Sequence, residues 1–409
     1  MVVSRRTVLT TAAAAATAAQ VASAPGARAA GTESPAEVRR TLRAAADYAV
    51  EKVRAVAPQV GGFPVGTRFE KWVYSQSGDW VGGFWPGTLW MAHLYSGDGA
   101  FRDLAVDWAR RLAPRRYDTT THDLGFLFYP SWVTAWRLTG DEAWREGALE
   151  AADTLIRRYN TRGRFLRAWG RLDEANNAGR VIIDTMMNLD LLAFASQQSG
   201  DSRYLDIAVE HARTTQRHFL RPDGSTPHVF DFDPDTGAPV GPGTVQGYSP
   251  ASCWSRGQAW GIYGFTTIHR RTGDAEFLDS ARSLADFAIG ALGADHVPVW
   301  DYRAPQQPYD VKDASAGAVM ACGLLDLSAV TGERAYHDVA LRLLTALSRT
   351  CLTRTSSRAD AVVARCTRNR PAEDGVEISV PYADYYLLEG ILRVLRPRDV
   401  DRAIDLSSL

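Results

Sequence analysis

Residues able to do chemistry recur at a few places in this 409-residue chain, each just ahead of a long apolar run. In order they are Asp79-Trp80 with Phe84-Trp85, His122-Asp123, Asp184, Trp254-Ser255-Arg256 with Trp260, Asp313 with Ser315, and Tyr382 with Asp384; Trp169 and His228 stand in two long intervening stretches. An aspartate that opens a helix is by default an N-cap. Asp313 fits that role. Asp123 fits it less well, because Phe128-Tyr129-Pro130 follows and the spacing places the helix start near Pro130. Asp184 lies between Val181-Ile182-Ile183 and Met186-Met187, where desolvation raises a carboxyl pKa and lets the group carry a proton near neutrality. Tryptophan faces stack on sugar rings, so an aromatic cup holding a few polar groups suits a carbohydrate, although any single tryptophan is as readily core. Arg256 either offers its planar fork to a bound carboxylate or pairs with a neighbouring aspartate. His122 and His228 belong to no H-E-x-x-H or compact His/Cys spacing, so hydrogen-bonding roles are expected and neither a metal nor a cofactor is. The run GPGTVQG (241–247) is not a G-x-G-x-x-G fingerprint and follows no evident strand.

The elements that must position these residues repeat. Five corners read Gly97-Asp98, Gly140-Asp141, Gly200-Asp201, Gly273-Asp274 and Gly332-Glu333. Glycine there supplies a left-handed helix stop, and the acid that follows caps or charges the next helix start. The helix after each corner is amphipathic, and the one before it is apolar almost all round. With residues 36–56 as a first outer helix and DYYLLEGILRVL (384–395) as a sixth inner one, twelve helices alternate. The pattern predicts a single-domain, all-α (α/α)6 barrel over residues 30–409, with an open solenoid as the alternative. Inner-to-outer corners are short, whereas outer-to-inner connections are long and rich in Trp, His, Asp and Arg. That rim is the expected site.

The segments GFWPGTLW, HDLGF, IIDTMMNLDLL, HVFDFDPDTG, WSRGQAWGIYGF, DASAGAVMACGLL and YADYYLLEGILR together resemble glycoside hydrolase family 88, the unsaturated glucuronyl hydrolases. The resemblance implies that Asp184 is the general acid and base and that Asp123 is the second required carboxylate. It implies further that His122, Trp169, His228, Gln246, Trp254, Arg256 and Trp260 line a sugar subsite, which Trp85 joins from the first inner-helix entrance. The implied substrate is an oligosaccharide left by a polysaccharide lyase, whose terminal 4,5-unsaturated glucuronyl ring is hydrated. Arg354–Asp374 departs from the expected loop and leaves the aglycone open. Related unsaturated rhamnogalacturonyl hydrolases and a non-catalytic carbohydrate-binding protein are the competing readings.

The N-terminus carries Arg5-Arg6, a mild apolar tract and Ala27-Arg28-Ala29, the pattern of a twin-arginine export signal over residues 1–29. Without its three arginines, 43 basic residues face 47 acidic ones, which gives no basic footprint for nucleic acid. No membrane span is expected beyond that tract. Cys253 and Cys322 read as core, while Cys351 and Cys366 flank a polar loop and either pair or stay free outside the cell.

Overall fold

Five glycines set the rhythm of the chain. Gly97, Gly140, Gly200, Gly273 and Gly332 each end an inner helix at φ between 71° and 74°, a region closed to most L-residues. The acids that follow start the return helices: Asp98, Asp141 and Asp274 accept from the N–H two residues on, whereas Glu333 makes no such bond. A computed structural model describes residues 33–305 and 311–406; the expected export signal lies outside them.

The chain begins with α1 (Pro35–Val56), opened by a Ser34/Glu37 capping box. It runs on through α2 (Phe84–Ser96), α3 (Gly99–Arg111), α4 (Leu124–Phe128), α5 (Thr134–Thr139), α6 (Glu142–Ile156) and α7 (Thr185–Ser199). Next come α8 (Arg203–Phe219), α9 (Ser255–Thr272), α10 (Ala275–Ala291), α11 (Ala314–Thr331), α12 (Arg334–Thr350), α13 (Pro381–Leu395) and α14 (Pro397–Ile404). The inner helices α2, α4–α5, α7, α9, α11 and α13 each touch the next, and α13 packs on α2, so the ring closes. The outer helices bury one face only. This is the (α/α)6 barrel. By length and composition α11 is apolar enough to cross a membrane, but it is buried here as an inner helix.

The helix bearing Asp123 differs from expectation. It starts at Leu124 rather than near Pro130, and Pro130 falls inside it, in a π turn over Tyr129–Val133 that joins α4 to α5. Proline cannot make the ordinary helical bond, and the wider turn accommodates its ring.

The barrel also carries strands that the helical pattern hides. They are β1 (Phe63–Arg68) with β2 (Lys71–Ser75), β3 (Tyr159–Asn160) with β4 (Phe165–Leu166), and a sheet of β5 (Arg180–Ile182), β6 (Val229–Phe232) and β7 (Pro239–Gly243). All lie in outer-to-inner connections, where pairing satisfies backbone groups that long loops would otherwise leave bare. The GPGTVQG run therefore begins on an edge strand.

A short C-terminal helix covers the opposite end of the ring. α14 lies across it, with Tyr129 donating to the Ile404 carbonyl at 3.0 Å and Arg137 to the Arg402 carbonyl at 2.9 Å. Buried Arg271 grips Asp405 by its carboxylate (2.9 Å) and its carbonyl (3.2 Å). A pocket of about 50 Å³ lies between this plug and the aromatic layer above it. All four cysteines are buried free thiols, Cys351 and Cys366 included.

Around Gly332 there is no atom within 4 Å of an added Cβ, so only its φ of 72° opposes substitution. We predict that Gly332→Ala lowers unfolding free energy by roughly 1–2 kcal/mol and that Gly332→Asn costs less, as read by denaturant titration.

Candidate active site

Asp123 and Asp184 stand directly before α4 and α7, and neither side chain hydrogen-bonds to the helix it begins. Asp313 does cap its helix, through Ser315 N–H. Two buried carboxylates thus sit at helix starts without doing the usual work of that position.

The β5–β6–β7 sheet brings Asp184 and His228 together. Ile182 pairs with Val229, and the Ile183 N–H donates to the His228 carbonyl at 3.1 Å. Beyond β7 the chain doubles back, and the N–H groups of Val245 and Gln246 both donate to His228 Nδ1 at 3.1 Å. Because Nδ1 accepts, the ring proton sits on Nε2. That atom faces Asp184 Oδ2 at 3.8 Å, too far for a hydrogen bond. Burial, then Arg256, hold the His228 pKa down at about 3, so the ring is neutral.

His122 is fixed from the other side. Its N–H donates to the Ala168 carbonyl beside a Thr121–Trp169 bridge, Nδ1 lies 2.7 Å from Thr185 Oγ1, and Nε2 lies 3.3 Å from Asp123 Oδ1. Burial, then Arg158, put its pKa at about 3. Among the described residues no group of three or more His, Cys, Asp or Glu side chains is arranged to hold a metal.

The two carboxyls are driven the opposite way. Burial pushes Asp184 up to about 7, with the charge of Asp123 adding to it. Burial also pushes Asp123 up to about 7, with Asp79 adding and the Thr121 hydroxyl, 2.7 Å from Oδ2, opposing. Near neutrality such a pair holds one proton between its members.

Arg256 forms one wall. It is wholly buried, ion-paired to Asp313, and donates to the carbonyls of Thr367 (2.7 Å) and Arg368 (2.8 Å). Its guanidinium lies over the rings of Trp254 (4.4 Å to the centroid) and Tyr382 (5.3 Å). Of the two roles open to it, pairing with an aspartate is the one observed. Gln246 donates its side-chain amide to the same Arg368 carbonyl at 2.8 Å. Trp254 backs His228 (centroids 4.6 Å apart), and half-buried Trp169 meets His228 edge-on at 6.3 Å. Trp260 lies deeper, under Phe126 at 5.0 Å, and Phe126 lies under half-buried Trp80 at 5.6 Å.

Trp85 is the exception. It packs edge-on against Trp108 of outer helix α3 at 6.4 Å and belongs to the wall between the helix layers. The tryptophan that joins the cup from this connection is Trp80, tilted 32° against Tyr382 with ring centroids 5.1 Å apart. Five residues separate them: Trp80 lies in the turn ahead of α2, and Trp85 is the second residue of the helix.

Among the buried polar atoms without a hydrogen-bond partner, six belong to residues around this cup: His122 Nε2, Asp184 Oδ2, His228 Nε2, Arg256 Nε, Trp260 Nε1 and Tyr382 Oη. Buried polar atoms are normally paired, so a convergent set of unpaired ones marks a place prepared for a ligand. Sequence reasoning did not single out Thr121, Asn188, Arg158 or Arg167. Buried Arg158 donates to the carbonyls of Arg167 (2.8 Å) and Gly170 (3.2 Å), and Arg167 to those of Trp169 (2.9 Å) and Asn176 (2.7 Å), so the two cations shape the Trp169 loop. No motif flags an arginine that binds only backbone.

A proton-bearing carboxyl pair, in an aromatic cup at the rim of a six-hairpin ring, defines a carbohydrate-cleaving enzyme of the glycoside hydrolase class. The profile of Glycosyl Hydrolase Family 88 matches residues 64–390, and the chain belongs to that family. It is 36% identical over 334 residues to an unsaturated glucuronyl hydrolase of Bacillus sp. (strain GL1), covering 80% of this chain and 89% of the relative. It is 34% identical to an unsaturated chondroitin disaccharide hydrolase of Streptococcus pyogenes serotype M1, covering 80% and 84%. The crystal structure of the Bacillus sp. GL1 enzyme superposes with a TM-score of 0.83 over 88% of this chain and 97% of that one, at 34% identity. An unsaturated glucuronyl hydrolase specific for heparin also gives 0.83, over 90% and 100%, at 31% identity.

Two outcomes follow from the geometry. Trp85→Phe leaves substrate affinity unchanged while Trp80→Ala weakens it severalfold, measured as KM. Asp313→Ala, which strands a buried guanidinium, costs about 3–5 kcal/mol of stability by denaturant titration.

Proposed function

We propose that this enzyme releases a 4,5-unsaturated glucuronyl residue from the non-reducing end of lyase-generated oligosaccharides by hydrating its double bond. The observation that carries this reading is Asp184: protonated near neutrality, buried, and left with an unpaired carboxyl oxygen in the cup. Attack at an anomeric carbon calls for an acid and a separate nucleophile or base on opposite faces. Hydration of a vinyl ether needs one carboxyl that gives a proton and takes one back.

In this mechanism Asp184 delivers its proton to carbon 4, and the electron pair of the double bond forms the new C–H bond. Positive charge develops at carbon 5 and the ring oxygen, where ionised Asp123 stabilises it. Water adds to carbon 5 as the Asp184 carboxylate takes its proton, restoring the starting state. The product is a hemiketal, which opens and frees the aglycone. His122 Nε2 and His228 Nε2–H, both neutral, and Arg256 Nε serve as fixed polar contacts for the ring's hydroxyls and carboxylate. Trp254, Trp169 and Trp80 supply apolar faces, and Gln246 and Trp260 keep the wall and floor in place.

Secretion through the twin-arginine route belongs to the same proposal, since large polysaccharides are cut outside the cell. Replacing Arg5-Arg6 with two lysines then leaves the protein inside, as fractionation would reveal.

Asp184→Asn is expected to give a folded protein that still binds but loses about 10²–10⁴-fold in kcat, followed by disappearance of the substrate's ultraviolet absorbance. Asp123→Asn removes a negative neighbour, so the alkaline limb of any residual activity moves to lower pH. Lyase digests of chondroitin, hyaluronan, heparin and pectin, assayed side by side, identify the aglycone. Turnover of the pectin digest alone would favour the rhamnogalacturonyl reading, and no turnover at all the binding protein.

A further inference from the structure

We infer that Arg167 is a positioning residue for the sugar wall: its guanidinium ties down the irregular loop after Trp169 and so sets how tightly substrate is held. The inference rests on the proposed role of Trp169 as an apolar face for the substrate ring and deepens it.

Trp169 stands at the start of a stretch with little structure of its own. Residues 170–179 form neither helix nor strand, and residues 171–176 are exposed. β4 ends at Leu166, and β5 begins only at Arg180. Chain of this kind is ordinarily mobile. An aromatic face that must be ordered each time a sugar arrives costs affinity, whereas one ordered during folding does not.

Arg167 supplies the order. It is only 5% exposed, and it donates to four carbonyls of the chain that follows it: Nε to Trp169 (2.9 Å), Nη1 to Leu172 (3.4 Å), and Nη2 to Glu174 (3.0 Å) and Asn176 (2.7 Å). The loop is therefore wrapped around a planar cation with these carbonyls turned inward. Gly170, at φ 81°, makes the turn that the wrapping needs, and a Cβ there would meet Arg167 Nη2 at 3.0 Å. A guanidinium presents donors in several fixed directions within one plane; an ammonium at the same place is a point donor.

The same anchor reaches the acid. The Arg167 N–H donates to the Arg158 carbonyl at 3.0 Å, and Arg158 Nε donates to the Arg167 carbonyl at 2.8 Å. Arg158 also donates to the carbonyls of Gly170 (3.2 Å) and Thr119. On the other side Trp169 bridges Thr121, and the His122 N–H donates to the Ala168 carbonyl at 3.1 Å. The wall that carries Trp169 and the segment that carries Asp123 thus form one unit.

The test compares Arg167→Lys, Trp169→Ala and the double variant with wild type. Unsaturated disaccharides from chondroitin, hyaluronan or heparin lyase digests serve as substrate, and trypsin as a probe of the loop. Arg167→Lys keeps the charge and loses the fork. It is expected to raise KM about tenfold with kcat changed less than threefold, and to open selective cleavage after exposed Arg171. In the Trp169→Ala background the same substitution adds no further rise in KM, because the face it positions is gone. A merely structural residue would lower the melting temperature and leave KM alone, or raise KM by the same factor in both backgrounds. Should Arg167→Lys fail to fold, digestion of the wild type decides: the pinned loop resists cleavage after Arg171, and rapid nicking there overturns the inference. A folded Arg167→Lys with wild-type KM and no new cleavage, alongside a Trp169→Ala enzyme with raised KM, also overturns it and leaves the stacking reading standing. Trp169→Ala with wild-type KM instead overturns the stacking reading, and a wild type that turns over no digest overturns the hydrolase reading.

Discussion

Repulsion between Asp123 and Asp184, felt where little water can screen it, is the interaction on which the rim depends. Burial alone raises both carboxyls, and the charge of Asp123 raises Asp184 further. Burial, with that charge added to it, makes Asp184 an acid near neutral pH. Around the pair the fold places groups that do not titrate near neutrality: two imidazoles kept neutral by burial and a guanidinium already joined to Asp313. The site's charge state therefore has one variable, the shared proton.

That economy depends on backbone more than on side chains. His228 is held in one tautomer by two consecutive N–H groups, His122 is anchored by a bridge to the Trp169 loop, and the carbonyl of Arg368 joins Arg256 to Gln246. Short strands make these contacts possible. β5 ends one residue before Ile183-Asp184, and β6 begins immediately after His228. Their antiparallel register sets an acid from one hairpin beside an imidazole from the next.

Much of the barrel was legible in the sequence because its signals are local. A Gly-acid corner is two residues long, and helix amphipathicity repeats within four. Asp184 was legible for the same reason, since its apolar neighbours adjoin it in the chain. The strands were not, being two to six residues long and defined by partners far away; β5 and β6 are separated by the whole of α7 and α8. Trp85 left its expected place at the rim because orientation turns on the first residue of a helix, here Phe84. Pro130 suggested a helix start and instead lies within a π turn. Asn188 carries no signature at all: an amide one turn after an acid is commonplace, and its orientation is set by the Phe126 N–H that another helix brings to it.

The plug formed by α14 and Asp405 has a consequence for traffic through the ring. With α14 across the far end and Phe84, Phe126 and Trp260 buried in the centre of the ring, the cup has one entrance, which must also serve as its exit. A polymer cannot thread through it, so only a chain terminus fits, and after cleavage both fragments must retreat past the same aromatic lip. Attack is thereby confined to chain ends.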